Sequence, residues 1–122
     1  MKWLDRISVA LGVTAVLWAG ASQADTANVT AFVEKTMVTA DGTRGGCMAS
    51  LSSDPAAKLP ACRKTWVTFS CDGTHTDPLL AYRMLDQAQL ALATGLQVQV
   101  TVTDEKQHEG YCFVERIKVV TE

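Results

Sequence analysis

The chain predicts a mostly β domain with one helix, in the order β-β-β-α-β-β. Three observations carry this: period-two alternation in several short runs, a single stretch of helical periodicity, and four cysteines downstream of an export-type leader. Three meandering strands, a helix and a closing hairpin make up a five-stranded Greek-key barrel of the OB type. Closure leaves no free sheet edge, which suits a small exported domain. An open α+β sheet capped by the helix is the competing arrangement.

Residues 28–38 (NVTAFVEKTMV) are rich in β-branched residues, with Val29, Ala31 and Val33 on one face, and read as the first strand. Residues 40–46 (ADGTRGG) supply turn chemistry. Cys47 to Leu51 reads as a second strand, residues 52–60 (SSDPAAKLP) as a loop, and Thr65 to Cys71 as a third strand. The period then changes. Asp77-Pro78 is a helix start, with Asp as cap and Pro at the first helical position, and Gly95 is the stop. Leu80, Ala81, Met84, Leu85, Ala88, Ala91 and Leu92 form one apolar face, opposite Arg83, Asp86, Gln87 and Gln89. Residues 97–103 (QVQVTVT) alternate without a fault as the fourth strand. A polar turn over 104–110 precedes a fifth strand, Tyr111 to Val120, whose alternation breaks at Glu115-Arg116 and predicts a bulge there.

The leader consists of a basic start (Lys2, Arg6), an apolar run (ISVALGVTAVLWAG) and Ala-Ser-Gln-Ala at 21–24. These are the three parts of a secretory signal, and the run is shorter than the ~20 residues of a bilayer span, although an uncleaved anchor is the alternative reading. Cleavage after Ala24 leaves 25–122 as a single OB-like domain, exported to the periplasm or secreted, with no lipobox cysteine at the cut. The whole chain carries −2, and loss of Lys2, Asp5 and Arg6 makes the remainder one unit more acidic. With no basic block, neither nucleic acid nor an anionic membrane surface is an expected partner, and no span is expected after cleavage.

In an oxidising compartment the four thiols form two crosslinks rather than nucleophiles or zinc ligands. Cys62–Cys71 is excluded because nine strand steps separate them by about 30 Å, against roughly 7 Å for a disulfide. Pairing Leu51 with Val67 and Ala49 with Phe69 sets Cys47 opposite Cys71, which leaves Cys62 with Cys112. Cys47–Cys62 with Cys71–Cys112 stays open.

Few residues offer catalytic chemistry. His75 and His108 read as solvated loop histidines that would meet Asp77 only through folding, so no metal site or cofactor is expected. No G-x-S-x-G turn or glycine-rich nucleotide loop is present. Glu109 and Glu115 are better explained by a turn and a strand face than as a glycosidase pair. Asn28-Val29-Thr30 fits a glycosylation acceptor but is discounted beside a leader of bacterial style. The chain thus reads as a binding protein and not an enzyme. Trp66 and Tyr111 are the candidate sugar platforms, with Asp41, Arg44 and Ser50 as polar neighbours, although a tryptophan beside a disulfide is expected to pack against it in the core. Leu79 and Leu90 lie on the polar helix face with Arg83 and Asp86 and mark a candidate contact between subunits.

Residues 82–102 (YRMLDQAQLALATGLQVQVTV), preceded by Cys47 and Cys71, resemble the B subunits of pertussis-like and subtilase-type bacterial AB toxins. The shared features are the L-D-Q-A helix segment, the Thr94-Gly95 stop and the alternating strand, over about half of the chain beyond the leader. The resemblance implies an OB barrel, a homopentameric ring with helices at its centre, a glycan or glycoprotein receptor, and an exported partner subunit. The family's serine-bearing motif is not present in 28–38, so its sugar contacts are not carried over. A monomeric periplasmic accessory or inhibitor protein that binds another protein is the alternative function.

Overall fold

A computed structural model describes residues 25–121 and Gly12; the expected leader otherwise lies outside the described residues. The element order is β1 (Thr26–Val38), β2 (Cys47–Leu51), β3 (Trp66–Thr68), α1 (Pro78–Thr94), β4 (Gln97–His108) and β5 (Tyr111–Val120), with single 3-10 turns at Thr43–Gly45 and Pro55–Ala57. The strands close in the order β1-β2-β3-β5-β4, and β3 runs parallel to β5 while every other pair is antiparallel. This is the five-stranded OB-type barrel that the element order predicts, closed rather than open.

The core follows from alternation. Val29, Ala31 and Val33 of β1 and Val98, Val100 and Val102 of β4 point inward and are buried with Val67, Phe69 and Val114. Removing this apolar surface from water is the main stabilising contribution. α1 packs chiefly on β1 and β5. Its start is fixed by Asp77, whose carboxylate accepts from the Leu79 amide at 2.8 Å, and its end by Gly95 at φ 69°. The bulge expected at Glu115 is present: Arg116 pairs with Thr101 and Val114 with Val102, leaving Glu115 unmatched.

Both disulfides are those favoured by strand geometry, Cys47–Cys71 with Cα atoms 5.6 Å apart and Cys62–Cys112 at 5.4 Å. The open alternative pairing is thereby settled. The β2–β3 register is not the expected one, because Ala49 faces Val67 and Met48 faces Thr68. A two-residue shift keeps the same side chains inward. Cys71 still reaches Cys47 because β3 stops at Thr68 and Ser70 turns the chain with φ 59°.

Two other boundaries differ. β4 continues through the expected polar turn to His108, and the hairpin closes on Glu109-Gly110, at φ 54° and 86°. Positive φ at both central residues suits a two-residue hairpin turn, with glycine at the second. On the helix, Leu80 and Leu92 are 53% and 40% exposed rather than part of the buried face.

Candidate functional site

The region richest in polar side chains is where the β1–β2 loop, the segment after β3 and the β4–β5 turn meet. The Thr68 hydroxyl donates to the Arg44 carbonyl at 2.8 Å and accepts from the Ser70 amide at 3.1 Å. Ser70 is fully buried, and its hydroxyl lies 2.9 Å from His108 Nε2 and 3.0 Å from Asp72 Oδ1 while accepting from the His75 amide at 3.1 Å. His75 donates Nε2–H to the Gln107 carbonyl at 3.0 Å, and its ring centroid is 4.6 Å from that of His108. The histidines are therefore not solvated loop residues. They brace three chain segments, and the segments meet because Cys71 is tied to Cys47 and the hairpin extends to His108.

A serine, a histidine and an aspartate in one cluster have the composition of a hydrolytic triad but not its geometry. Both Ser70 and Asp72 address Nε2 of His108, at 2.9 and 3.5 Å, whereas a triad sets nucleophile and carboxylate on opposite ring nitrogens. Nor do His75, His108 and Asp72 form a metal-binding group among the described residues.

Burial lowers the pKa of His108, and the His75 ring lowers it further, outweighing the opposing pull of Asp72 and Glu109. At neutral pH the 3.5 Å contact is thus a neutral imidazole beside a carboxylate rather than an ion pair. Burial raises the Asp72 pKa, but hydrogen bonds from the Thr74 amide and hydroxyl and from Ser70, with the attraction of His108, carry it below the ordinary value.

Tyr111 opens β5 directly after this turn and is 9% exposed. The guanidinium carbons of Arg63 and Arg44 lie 4.7 and 5.6 Å from its ring centroid. Arg63 also donates to the Glu109 carbonyl at 3.3 Å, and Arg44 Nε is 3.6 Å from the Glu109 carboxylate. The Tyr111 ring is thus occluded, and the groups that reach solvent beside it are two guanidiniums and a carboxylate. Arg63 carries no motif in the sequence. Only the fold brings it beside Tyr111, with its amide bonded to the Gly110 carbonyl at 2.8 Å.

The other expected ligands lie elsewhere. The Asp41 carboxylate accepts from the Thr43 amide at 3.0 Å and shapes the β1–β2 loop; hydrogen bonds from Thr43 keep its pKa low. Ser50 is buried and faces Trp66 across the β2–β3 ladder. Trp66 is partly exposed and outside the apolar cluster, contrary to the expectation that it packs in the core. The residue before it explains this orientation. Thr65 has φ 77°, and the Trp66 amide bonds back to the Lys64 carbonyl at 2.9 Å, a tight γ-turn that sends Val67 inward and Trp66 outward.

On α1, Leu79 and Leu90 are 65% and 49% exposed, with Tyr82 at 45% near them. Arg83 and Asp86 line an open groove of about 400 Å³ between α1 and β5, with Leu80, Gln87, Glu115 and Ile117. No described helix is long and apolar enough to cross a membrane.

The fold and its two disulfides define a small, crosslinked OB-type barrel with a polar loop cluster and two exposed leucines on the polar face of its helix. No family model matches the chain, and no curated protein or solved structure is significantly similar to it.

Proposed function

We propose that the chain is an exported, non-catalytic binding module that takes a glycan or glycoprotein receptor at the Arg44–Arg63–Tyr111 surface and acts as an oligomer through the outer face of α1. The observation that carries the binding half is the pair of exposed guanidiniums at one tyrosine ring. Guanidiniums recognise carboxylate and sulfate groups in a two-pronged geometry. That chemistry favours an acidic sugar over a neutral one, and Trp66 offers a separate apolar platform on the same barrel. The oligomer half rests on Leu79 and Leu90, two exposed leucines on one helix face.

A glycan array probed with oxidised exported protein tests the first half. Binding to acidic glycans that falls at least tenfold in both Arg44→Ala and Arg63→Ala supports it, and unchanged binding in either variant removes that residue. Light scattering tests the second. A ring of five would have a mass near ~50 kDa, and Leu79→Glu with Leu90→Glu would dissociate it. The same exposed leucines favour a second reading, a monomeric accessory or inhibitor protein docking another exported protein. A monomer without glycan binding would select that reading.

A further inference from the structure

The start of β1 makes a contact that export would convert into a different chemical group. The Asp25 amide nitrogen donates to Asp104 Oδ1 at 2.8 Å, and the Asp104 amide donates back to the Asp25 carbonyl at 3.1 Å. These bonds extend the β1–β4 ladder one step beyond Thr26 and Thr103. In the uncleaved chain the donor is an ordinary amide. Hydrolysis of the Ala24–Asp25 bond by water leaves a carboxylate on Ala24 and an α-ammonium on Asp25.

We infer that leader removal creates an ion pair between the new Asp25 α-ammonium and the Asp104 carboxylate, which pins the mature N-terminus onto β4. This rests on the export reading. The charges around the site favour it: Asp25, immediately before β1, brings its own carboxylate, and Glu105 follows Asp104 on β4. Lys58, a cation packed on this end of β1, is directed at the Asn28 carbonyl three residues beyond Asp25. Among the described residues no basic side chain pairs with the Asp104 carboxylate, and Lys106, two residues further along β4, lies over the Phe113 ring instead.

An α-amine ordinarily titrates near about 7.7–8.0. A carboxylate partner raises that value in the folded state, so the pair stabilises the fold below the ordinary value. The gain is lost as pH rises through the raised one. The pair is exposed, so proton affinity should rise only about two- to fivefold.

The test uses the full chain expressed with its leader and recovered after export. Intact mass identifies the first residue, and an NMR titration of Asp25 reads its amine. The expected result is an N-terminus at Asp25, a titration midpoint above the ordinary range, a return to that range in Asp104→Asn, and recovery in Asp104→Glu. An N-terminus at Asp25 with the same midpoint in wild type and Asp104→Asn overturns the ion pair and leaves the export reading standing. A cleaved N-terminus elsewhere overturns the ion pair alone, and a chain that keeps its leader overturns both.

Discussion

The wall formed by β1, β4 and β5 and the cluster formed by the loops hold their shape by different means. In the wall, β1 and β4 pair without interruption from Thr26–Thr103 to Phe32–Gln97, and small apolar residues at every second position (Val29, Ala31 and Val33; Val98, Val100 and Val102) fill the interior. Each inward residue repeats its neighbour's role, so order comes from many similar contacts. In the cluster no side chain has an equivalent. Arg44, Ser70 and Glu109 all adopt left-handed backbone there without being glycines, a conformation uncommon for such residues. Specific hydrogen bonds and one crosslink hold them in place. Such strain persists only where the surroundings over-determine it, and it gathers where side chains must be aimed. The wall is a scaffold, and the cluster aims groups outward.

The largest test removes a crosslink anchored on the wall through Cys112 of β5. Cys62–Cys112 closes a 50-residue separation and Cys47–Cys71 one of 24. The loop-entropy model assigns them roughly 4 and 3.5 kcal/mol. Against the 5–15 kcal/mol typical of domains, Cys62→Ser with Cys112→Ser should cause the larger drop in urea midpoint or abolish folding. Equal midpoints for wild type and this variant would contradict the role given to the crosslink.

Gly45→Ala tests the cluster alone. An added Cβ would lie 2.5 Å from Thr68 Oγ1 and 2.8 Å from His108 Cδ2, at a backbone φ of 85°. A loss of about 2–3 kcal/mol is expected from overpacking and strain, with amide exchange in β4 residues 97–103 quickened only through global unfolding. Local opening of the wall itself would erase the distinction between the two regions.

Acid should also act on the cluster first. His108 has a lowered folded-state pKa, so the unfolded chain binds the proton more readily. The stability linked to it is complete above the unfolded value of about 6.5 and is lost as pH falls from there to the folded value. Asp72, also lowered, extends the loss in the same direction below about 3.8. Urea midpoints measured between pH 7.5 and 5 should fall in wild type and stay flatter in His108→Gln. Matching slopes would remove His108 as the source.

The smallest effect is expected at Thr65, a β-branched residue at φ 77° outside the cluster. Thr65→Gly relieves the left-handed strain but loosens the unfolded chain. Stability should therefore change by less than about 1 kcal/mol, while Trp66 fluorescence shifts as its fixed orientation relaxes. An unmoved spectrum would show that the γ-turn does not aim Trp66.

How much was legible follows the same division. Alternation in 97–103 and the Asp77-Pro78 to Gly95 signals depend on neighbouring residues, so β4's start and α1's bounds could be read directly. Strand length excluded Cys62–Cys71, but the choice between the two remaining pairings was made only by the folded barrel. Trp66 was misjudged because proximity to a disulfide says nothing about which face a strained turn presents. Leu80 and Leu92 were misjudged because helical periodicity sets direction but not how far the barrel extends beneath each end of the helix. Asp72, Gly73 and Thr74 announce a turn, yet nothing local places His108, more than thirty residues later, against Ser70. By itself the sequence determined the element order, the inward faces of the strands and the exclusion of Cys62–Cys71, since these arise from periodicity, caps and chain reach. Tertiary structure alone decided that two histidines brace three segments and that Arg63 joins Arg44 at Tyr111, because contacts between distant loops depend on how barrel closure and backbone turns bring the ends together.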